Sequence, residues 1–423
     1  MANCLQAVGI SYRTAPVEER ETLAFSAAEL VEALGALKQR LGSAVIVSTC
    51  NRTELYTTSL EDGHPPEKLA APLLELKGAK VDPPRLYFLH HEEAVRHLYR
   101  VASGIDSMVL GEAQILGQVR EALSAATTAG SLNGVLSRLF HTALAVGKRA
   151  RSETRISSYA LSVSGMAVAL AQQIFPRLEE RTVLIISAGS TGKLAAKALK
   201  ESGASQLLVV NRTYDKALEM ARKLDGTALP QERLLHALAM SDIVISATGS
   251  ENFIIGPELI SAALRARSER SLLLIDIAVP RDVDPHVRQL PGVHLYDIDD
   301  LQNVPGAVEG IEERQQEIAR VEELIGEEVE RFLNWWRSLD VVPVIAALRE
   351  QAEEIRRQEL EKALRRLPGL TQQERESIEA MSQAIINKLF HRPVTRLKEG
   401  SDPSRYVETL ETLFGLTSTY SGE

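Results

Sequence analysis

Cysteine is almost absent: Cys4 and Cys50 are the only two in 423 residues. That excludes a disulfide framework and any cysteine-rich metal site, so no metal is expected and each cysteine is judged as a free thiol. Long apolar runs are also lacking. None approaches the roughly 20 residues that cross a bilayer, and the start, MANCLQAVGISYRTAPVEE, has no basic segment leading into an apolar core, so the expected location is the cytoplasm, away from membranes. Nor is there an excess of positive charge. The net charge of −9 argues against indiscriminate binding to nucleic acid, which needs many Lys and Arg facing phosphates. A local basic surface remains open, because residues 1–150 carry 15 Lys/Arg against 16 Asp/Glu and the acidity lies further along. The cluster Lys148-Arg149-Ala150-Arg151-Ser152-Glu153-Thr154-Arg155 reads either as a solvated helix end or as part of such a surface. Internal repeats and low-complexity segments are missing as well.

What is present is the composition of a soluble globular protein, 44% apolar and 25% charged, at a length that suggests two to four domains. The first part alternates apolar runs, Cys4–Ile10 and Ala44–Val47, with a helix-like stretch from Ser26 to Arg40 that opens with a Ser-x-x-Glu capping box. This predicts a small α/β unit, followed from Glu92 to Ser152 by an Ala- and Leu-rich helical subdomain. From Arg181 the rhythm changes. The short β-branched runs Val183–Ile186, Gln206–Val210, Ile243–Ser246 and Leu272–Ile275 alternate with helical stretches, which predicts a parallel, doubly wound sheet. After Pro305-Gly306 a charged stretch to Ser338 reads as one long exposed helix. Pro343, Pro368 and Pro393 then punctuate further helices, whose apolar positions Val341, Val344, Ile345 and Leu348 need a partner helix.

The run Val183–Ile186 leads into Ser187-Ala188-Gly189-Ser190-Thr191-Gly192 and then into a helical stretch from Lys193 to Glu201. Small residues between strand and helix let the backbone approach a pyrophosphate at the helix N-terminus, where free N–H groups favour an anion. The second run ends at Asn211-Arg212-Thr213, where an NAD-selective site would carry an acidic residue for the ribose hydroxyls. An Arg with small polar neighbours suits a 2′-phosphate instead, so NADPH is the expected cofactor. Thr248 and Gly249, after the Ile243–Ser246 run, and the segment Asp276–Arg281 fall at the same carboxyl edge, as lining of the nicotinamide side or as ordinary turns.

Cys50 stands where Val45–Thr49 gives way to Asn51-Arg52-Thr53-Glu54. A cysteine leaving an apolar strand beside an Arg has a reason to become a thiolate. The spacing alone equally suits a buried structural cysteine, and Cys4, inside an apolar run, reads as core. The segment Ser48-Thr49-Cys50-Asn51-Arg52-Thr53-Glu54-Leu55-Tyr56 resembles the nucleophile motif of glutamyl-tRNA reductases. Gly9-Ile10-Ser11-Tyr12-Arg13-Thr14-Ala15-Pro16-Val17-Glu18-Glu19-Arg20-Glu21 and the long motif Ala102–Val119, containing Gly104-Ile105-Asp106-Ser107 and Leu110-Gly111-Glu112-Ala113-Gln114, extend the likeness in order. Tyr12 stands where the family usually has His. Ser187 replaces a usual Gly, which a backbone with negative φ tolerates.

The resemblance implies an α/β multidomain chain. Its parts would be a catalytic domain over 1–157 that binds glutamyl-tRNA, a Rossmann-like NADPH-binding domain over 158–304, a spinal helix over 305–340 and a helical dimerisation domain over 341–423. It implies that Cys50 attacks the ester of glutamate on tRNA(Glu), and that NADPH then reduces the thioester to glutamate-1-semialdehyde, at the start of tetrapyrrole synthesis. It places Thr49, Arg52, Glu54, Ser107, Glu112 and Gln114 around the glutamate, with Arg52 facing a substrate carboxylate, and His97 near the nucleophile as a proton-transfer group. A homodimer and a transient complex with glutamate-1-semialdehyde aminotransferase also follow from it. Two other readings remain at this stage. One is an NADP-dependent oxidoreductase of a free small metabolite, since the second domain also resembles that of shikimate dehydrogenases. The other is a catalytically inactive NADPH-binding dimer.

Overall fold

The computed structural model describes residues 4–59, 63–112, 114–159, 163–187, 190–267, 270–303, 311–339, 341–399 and 404–416. The chain divides into two compact units, one of Cys4–Ser59 with Gly63–Gly326 and one that includes Glu327–Glu423.

The first unit begins with a four-stranded sheet of β1 (Cys4–Ser11), β2 (Val45–Ser48), β3 (Arg52–Ser59) and β4 (Tyr87–His90), ordered β2-β3-β1-β4 and antiparallel throughout. The expected α/β unit is therefore present, with two strands more than the apolar runs predict. β3 reads as polar, Arg-Thr-Glu-Leu-Tyr-Thr-Thr-Ser, yet all but its last residue are buried because it is an inner strand paired on both sides. The helix Ala27–Leu41 opens with the anticipated box: Ser26 Oγ accepts from the Glu29 N–H and Glu29 Oε2 accepts from the Ser26 N–H at 2.7 Å. Helices His91–Ser103, Gln114–Thr128 and Gly134–Glu153 form the helical subdomain.

A second sheet follows: β5 (Thr182–Ile186), β6 (Gln206–Val210), β7 (Thr227–Leu229), β8 (Ile243–Ser246), β9 (Leu272–Asp276) and β10 (Val293–Asp297). The order is β10-β9-β8-β5-β6-β7, all parallel, which is the doubly wound dinucleotide arrangement with its chain reversal between β5 and β8. Residues alternating along β5 bury on both faces: Val183 and Ile185 pack with Ala195, Leu199 and Leu170, while Leu184 and Ile186 pack with Leu238, Ile260 and Val287. That two-sided burial is why these strands read as continuous apolar runs.

The long helix spans Ile311–Ser338; Pro305 and Gly306 lie outside the described residues. Its buried positions Val321, Ile325, Val329, Phe332 and Trp336 recur every three or four residues, so the helix is charged on most of its surface and apolar along one stripe. In the second unit, helices Val342–Arg366, Gln372–Glu399 and Ser404–Phe414 complete the chain. Pro343 opens the first of these and Pro368 follows its end, as the punctuation predicts. Pro393 does not interrupt its helix. Val394 and Leu410 pack against Val341 and Ile345, so tertiary contact on the next residue keeps the helix going past the lost N–H.

Candidate active site

Cys50 sits in the turn between β2 and β3, whose last facing pair is Ser48 with Thr53. Thr49 closes that turn: its N–H donates to the Arg52 carbonyl at 2.8 Å, and its hydroxyl oxygen accepts from the N–H groups of Asn51 and Arg52, each at 3.1 Å. The Tyr12 N–H donates to the Asn51 carbonyl at 2.9 Å, so β1 holds the turn from the other side. Cys50 itself is half-buried. Burial, with the charge of Glu112 adding to it, pushes the Cys50 thiol up to about 12 against the pull of Arg20 and Arg52. The expectation of a thiolate favoured by the neighbouring Arg is thus corrected: desolvation outweighs the cations, and the resting thiol is protonated at neutral pH.

Below the turn lies a buried charge network. Arg52, 1% exposed, donates through Nη1 to Glu54 Oε1 at 2.7 Å and to Asp106 Oδ2 at 3.0 Å, and through Nη2 to the Asp106 carbonyl. Glu54 is wholly buried and accepts from three further groups. They are the Tyr87 hydroxyl at 2.6 Å, the Tyr56 hydroxyl at 2.6 Å and His97 Nε2 at 2.8 Å. Burial alone would raise the Glu54 carboxyl, yet His97 and Arg52 hold it well below the usual range, so it stays ionised. The two tyrosines are raised because burial and the Glu54 charge oppose their ionisation. Arg52 is therefore neither a surface residue nor free at its terminal nitrogens. Its charge is matched inside the protein, and the more accessible cation is Arg13, which pairs with Asp106 Oδ1 at 3.1 Å with its side chain 53% exposed. Tyr12, the departure in the first motif, accepts from Arg13 Nε at 3.2 Å and so orients that cation.

Asp106 and Ser107 lie on the loop from Gly104 to Glu112. Gly111 adopts φ +74°, and a Cβ there would stand 2.3 Å from the Ile156 carbonyl oxygen, so only glycine lets the loop close. The Ser107 hydroxyl oxygen is buried without a hydrogen-bond partner among the described residues. Glu112 is raised by burial, and its carbonyl accepts from Arg151 Nη2 at 2.8 Å, which puts one member of the basic cluster to structural use. Gln114 begins the helix that follows. Cys4, buried in β1, has its Sγ 3.6 Å from His91 Nε2, as a core thiol.

The second site is a cavity of about 720 Å³ at the carboxyl edge of the parallel sheet, lined by Ser187, Asn211, Arg212, Thr213, Lys216, Thr248, Gly249 and Ser250 among others. Of the residues expected there, Ala188 and Gly189 lie outside the described residues, as do the side chains of Ser190 and Thr191. Ser187 has no positive φ, so the departure from glycine costs the backbone nothing. Gly192 lets its helix approach the sheet, since a Cβ would meet that of Ala247 at 3.3 Å. Asn211 Oδ1 accepts from the Thr213 N–H at 2.8 Å, shaping the end of β6, where Arg212 and Lys216 are both exposed. Asp282 Oδ2 accepts from Ser246 Oγ at 2.6 Å and from the Thr248 N–H at 2.8 Å, bracing the β8 end of the cavity. Sequence reading assigned no role to Lys216, Asp106, Tyr56, Tyr87 or Arg13, although Arg13, Tyr56 and Asp106 lie within the family motifs and Lys216 follows Arg212 by four residues; Tyr87 alone carried no local signal.

A doubly wound sheet with a polar cleft at its chain reversal, preceded by an α/β unit that presents one cysteine over a buried ion network, defines an oxidoreductase of the dinucleotide-binding class. Residues 8–154 match the glutamyl-tRNAGlu reductase N-terminal domain, 169–304 the shikimate/quinate 5-dehydrogenase domain and 320–416 the glutamyl-tRNAGlu reductase dimerisation domain. Glutamyl-tRNA reductase of Rubrobacter xylanophilus is 45% identical over 96% of this chain and 96% of its own, and that of Geobacter sulfurreducens 42% over 97% and 95%. The solved glutamyl-tRNA reductase of Methanopyrus kandleri is 37% identical, covering 97% of this chain and 99% of its own with a TM-score of 0.51. The chain belongs to the glutamyl-tRNA reductase family. Among the described residues no helix is long and apolar enough to cross a membrane.

Proposed function

We propose that the protein reduces glutamyl-tRNA(Glu) to glutamate-1-semialdehyde with NADPH, through a thioester on Cys50, in the cytoplasm and as a homodimer. The observation that carries this reading is the Cys50 turn, fixed by Thr49 and Tyr12 and continuous through Arg52 with the buried Glu54–Asp106 network. Glutamate esterified to tRNA keeps two free charges, an α-ammonium and a γ-carboxylate. Asp106 and Glu112 suit the first, the exposed Arg13, held at Asp106 beside the buried Arg52, suits the second, and Ser107 and Gln114 supply neutral polar groups. Glu54 keeps Arg52 in place, and Thr49 keeps the turn.

Sulfur attacks the ester carbonyl, the carbon–oxygen bond to tRNA breaks, and the thiol proton passes to the departing ribose hydroxyl. The α-ammonium of the bound substrate sets a positive charge beside the thiol, offsetting the burial that keeps it protonated. His97, joined to Glu54, is the group that would relay a proton from solvent to the Cys50 thiolate released on reduction. When bound, NADPH supplies the hydride that reduces the thioester. Around it this chain would set Ser187 and Gly192 at the pyrophosphate, Asn211, Arg212 and Thr213 at the 2′-phosphate, and Thr248 and Gly249 toward the nicotinamide. Domain limits near 157, 304 and 340 follow this division of labour. A transient complex with glutamate-1-semialdehyde aminotransferase would shelter the reactive aldehyde; an unchanged lag in coupled kinetics on adding that enzyme in excess argues against it.

Single-turnover incubation with glutamyl-tRNA tests the main reading, with mass spectrometry of the Cys50 peptide. A glutamyl adduct without NADPH, converted to semialdehyde with it, is the expected result, and Cys50→Ser should lose both while remaining folded. Reductase activity in that variant refutes the thioester.

A further inference from the structure

The turn that carries Cys50 is connected to the nucleotide-binding part through one buried side chain. Arg20, 2% exposed, donates through Nη2 to the Cys50 carbonyl at 3.4 Å and to Asp299 Oδ1 at 2.8 Å. Its Nη1 donates to the Ala15 carbonyl and to Asp299 Oδ2, each at 3.0 Å. Asp299 follows β10, and its Oδ2 also accepts from the Val17 N–H at 2.9 Å, at the start of the short helix that ends in Arg20. Pro16, which precedes that helix, offers no side-chain cap, so the carboxylate from the nucleotide side takes the role. Asp299 is itself fixed, its N–H donating to Asp297 Oδ1 at 3.1 Å.

A second contact has the opposite polarity. Arg281, on the loop after β9, donates through Nε and Nη2 to the two carboxylate oxygens of Glu21 at 3.1 and 2.8 Å, and through Nη1 to Glu18 Oε1 at 2.5 Å. Residues 17–23 therefore offer a cation to a nucleotide-side carboxylate and two carboxylates to a nucleotide-side cation. Forked Arg–carboxylate pairs fix direction as well as distance, and removing one partner leaves the other buried and unmatched.

We propose that Arg20 is a positioning residue that couples docking of the nucleotide-binding part to the setting of Cys50, with Asp299 as the nucleotide-side half of the coupling. Arg20 acts through the main chain of Cys50 and touches no substrate. The inference rests on the thioester reading above, in which the acyl carbon on Cys50 must meet a hydride carried by the other half of the unit. A rigid link from Asp299 to the Cys50 carbonyl makes the two positions one variable. The Arg20 charge also pulls the Cys50 thiol downward, against burial and Glu112.

The test separates the two half-reactions in the full-length protein. Asp299→Asn should acylate Cys50 from glutamyl-tRNA at close to the wild-type rate and bind NADPH with unchanged affinity. Its conversion of the adduct to aldehyde should slow by about tenfold or more, a coupling of ordinary size. Arg20→Gln should slow both steps and move the alkylation of Cys50 by iodoacetamide to higher pH, and Arg20→Lys should restore part of each. Unslowed conversion in Asp299→Asn, or a fall accounted for by weaker NADPH binding, overturns the proposal. Should the Arg20 variants fail to fold, Asp299, with 27% of its side chain exposed, still decides the matter. Alkylation needs neither tRNA nor cofactor: a wild-type protein that forms no adduct refutes the thioester reading, whereas an unmoved alkylation profile in folded Arg20→Gln refutes the coupling.

Discussion

Two residues at the centre of the site are held in environments that free amino acids in water do not meet, and each has a measurable consequence. The Cys50 thiol keeps its proton to about 12, where its ordinary value is 9.0. Between those values unfolding releases a proton, so the cysteine contributes nothing variable below pH 9 and destabilises the fold progressively above it. Cys50→Ser removes that slope. Urea unfolding at pH 8 and pH 10 should show the wild type losing about 1 kcal/mol more than the variant over the interval, because a tenfold difference in proton affinity between folded and unfolded chains corresponds to roughly 1.4 kcal/mol. Equal losses in the two proteins would mean that the thiol is not desolvated. Arg52 is the second case. Replacing it by Gln leaves Glu54 and Asp106 buried with a neutral neighbour, and losing one partner of such a pair costs about 3–5 kcal/mol. The variant should therefore show a strongly lowered urea midpoint, whereas loss of activity at unchanged stability would make Arg52 a substrate-facing cation alone.

Residue by residue, the site was only partly legible in the sequence. Cys50, Arg52 and Glu54 fall in one motif, and His97 follows within a helix, so all four could be singled out. Their relationship could not be. Tyr87 belongs to β4 and Asp106 to a loop, and both reach Glu54 or Arg52 only because β1 pairs with β3 on one side and β4 on the other. The expected thiolate failed for a related reason: a sequence shows that an Arg is adjacent, but not that burial of the thiol and the charge of Glu112 outweigh it.

Among the elements, those with one dominant period were read correctly. The four apolar runs of the parallel sheet became β5, β6, β8 and β9, because strands covered on both faces must be apolar throughout. β7 and β10 escaped notice at the sheet's edges; Val293-His294-Leu295-Tyr296-Asp297 alternates buried and more exposed residues, and Thr227–Leu229 has only three. β3 escaped because its buried residues are polar and find partners only in the folded site. The end of β6 allows a direct trial of cofactor choice. Arg212, in the bend after β6, and Lys216, in the first turn of the helix Tyr214–Leu224, both line the cavity, and a charge-assisted hydrogen bond to a phosphate contributes about 1.5–3 kcal/mol. Arg212→Gln should raise KM for NADPH by about tenfold or more and leave KM for NADH nearly unchanged, with Lys216→Gln giving a smaller effect. Equal changes for both nucleotides would move the 2′-phosphate away from β6.

For the whole molecule, the long helix Ile311–Ser338 serves the two compact units differently. In its first part Glu317 Oε2 accepts from the Arg155 N–H at 2.7 Å, and Glu322 pairs with Arg100 at 2.7 Å, so the helix to Gly326 belongs structurally to the unit that holds both sites. Beyond it, the helix Gln372–Glu399 exposes Met381, Ile385 and Leu389 at four-residue spacing, 58%, 53% and 64% open. Three large apolar side chains along one face form the kind of surface that a second protein surface covers, and residues 320–416 match a dimerisation domain. A chain ended at Gly326 keeps the Glu317 and Glu322 contacts and sheds this face, so light scattering should find it folded and monomeric, and should find the full chain dimeric. Met381→Glu with Ile385→Glu in the full chain should do the same without removing any backbone, placing two charges in an apolar contact. If the shortened chain still dimerises while the doubly charged full chain does too, association runs through the catalytic unit, and the exposed stripe needs another occupant.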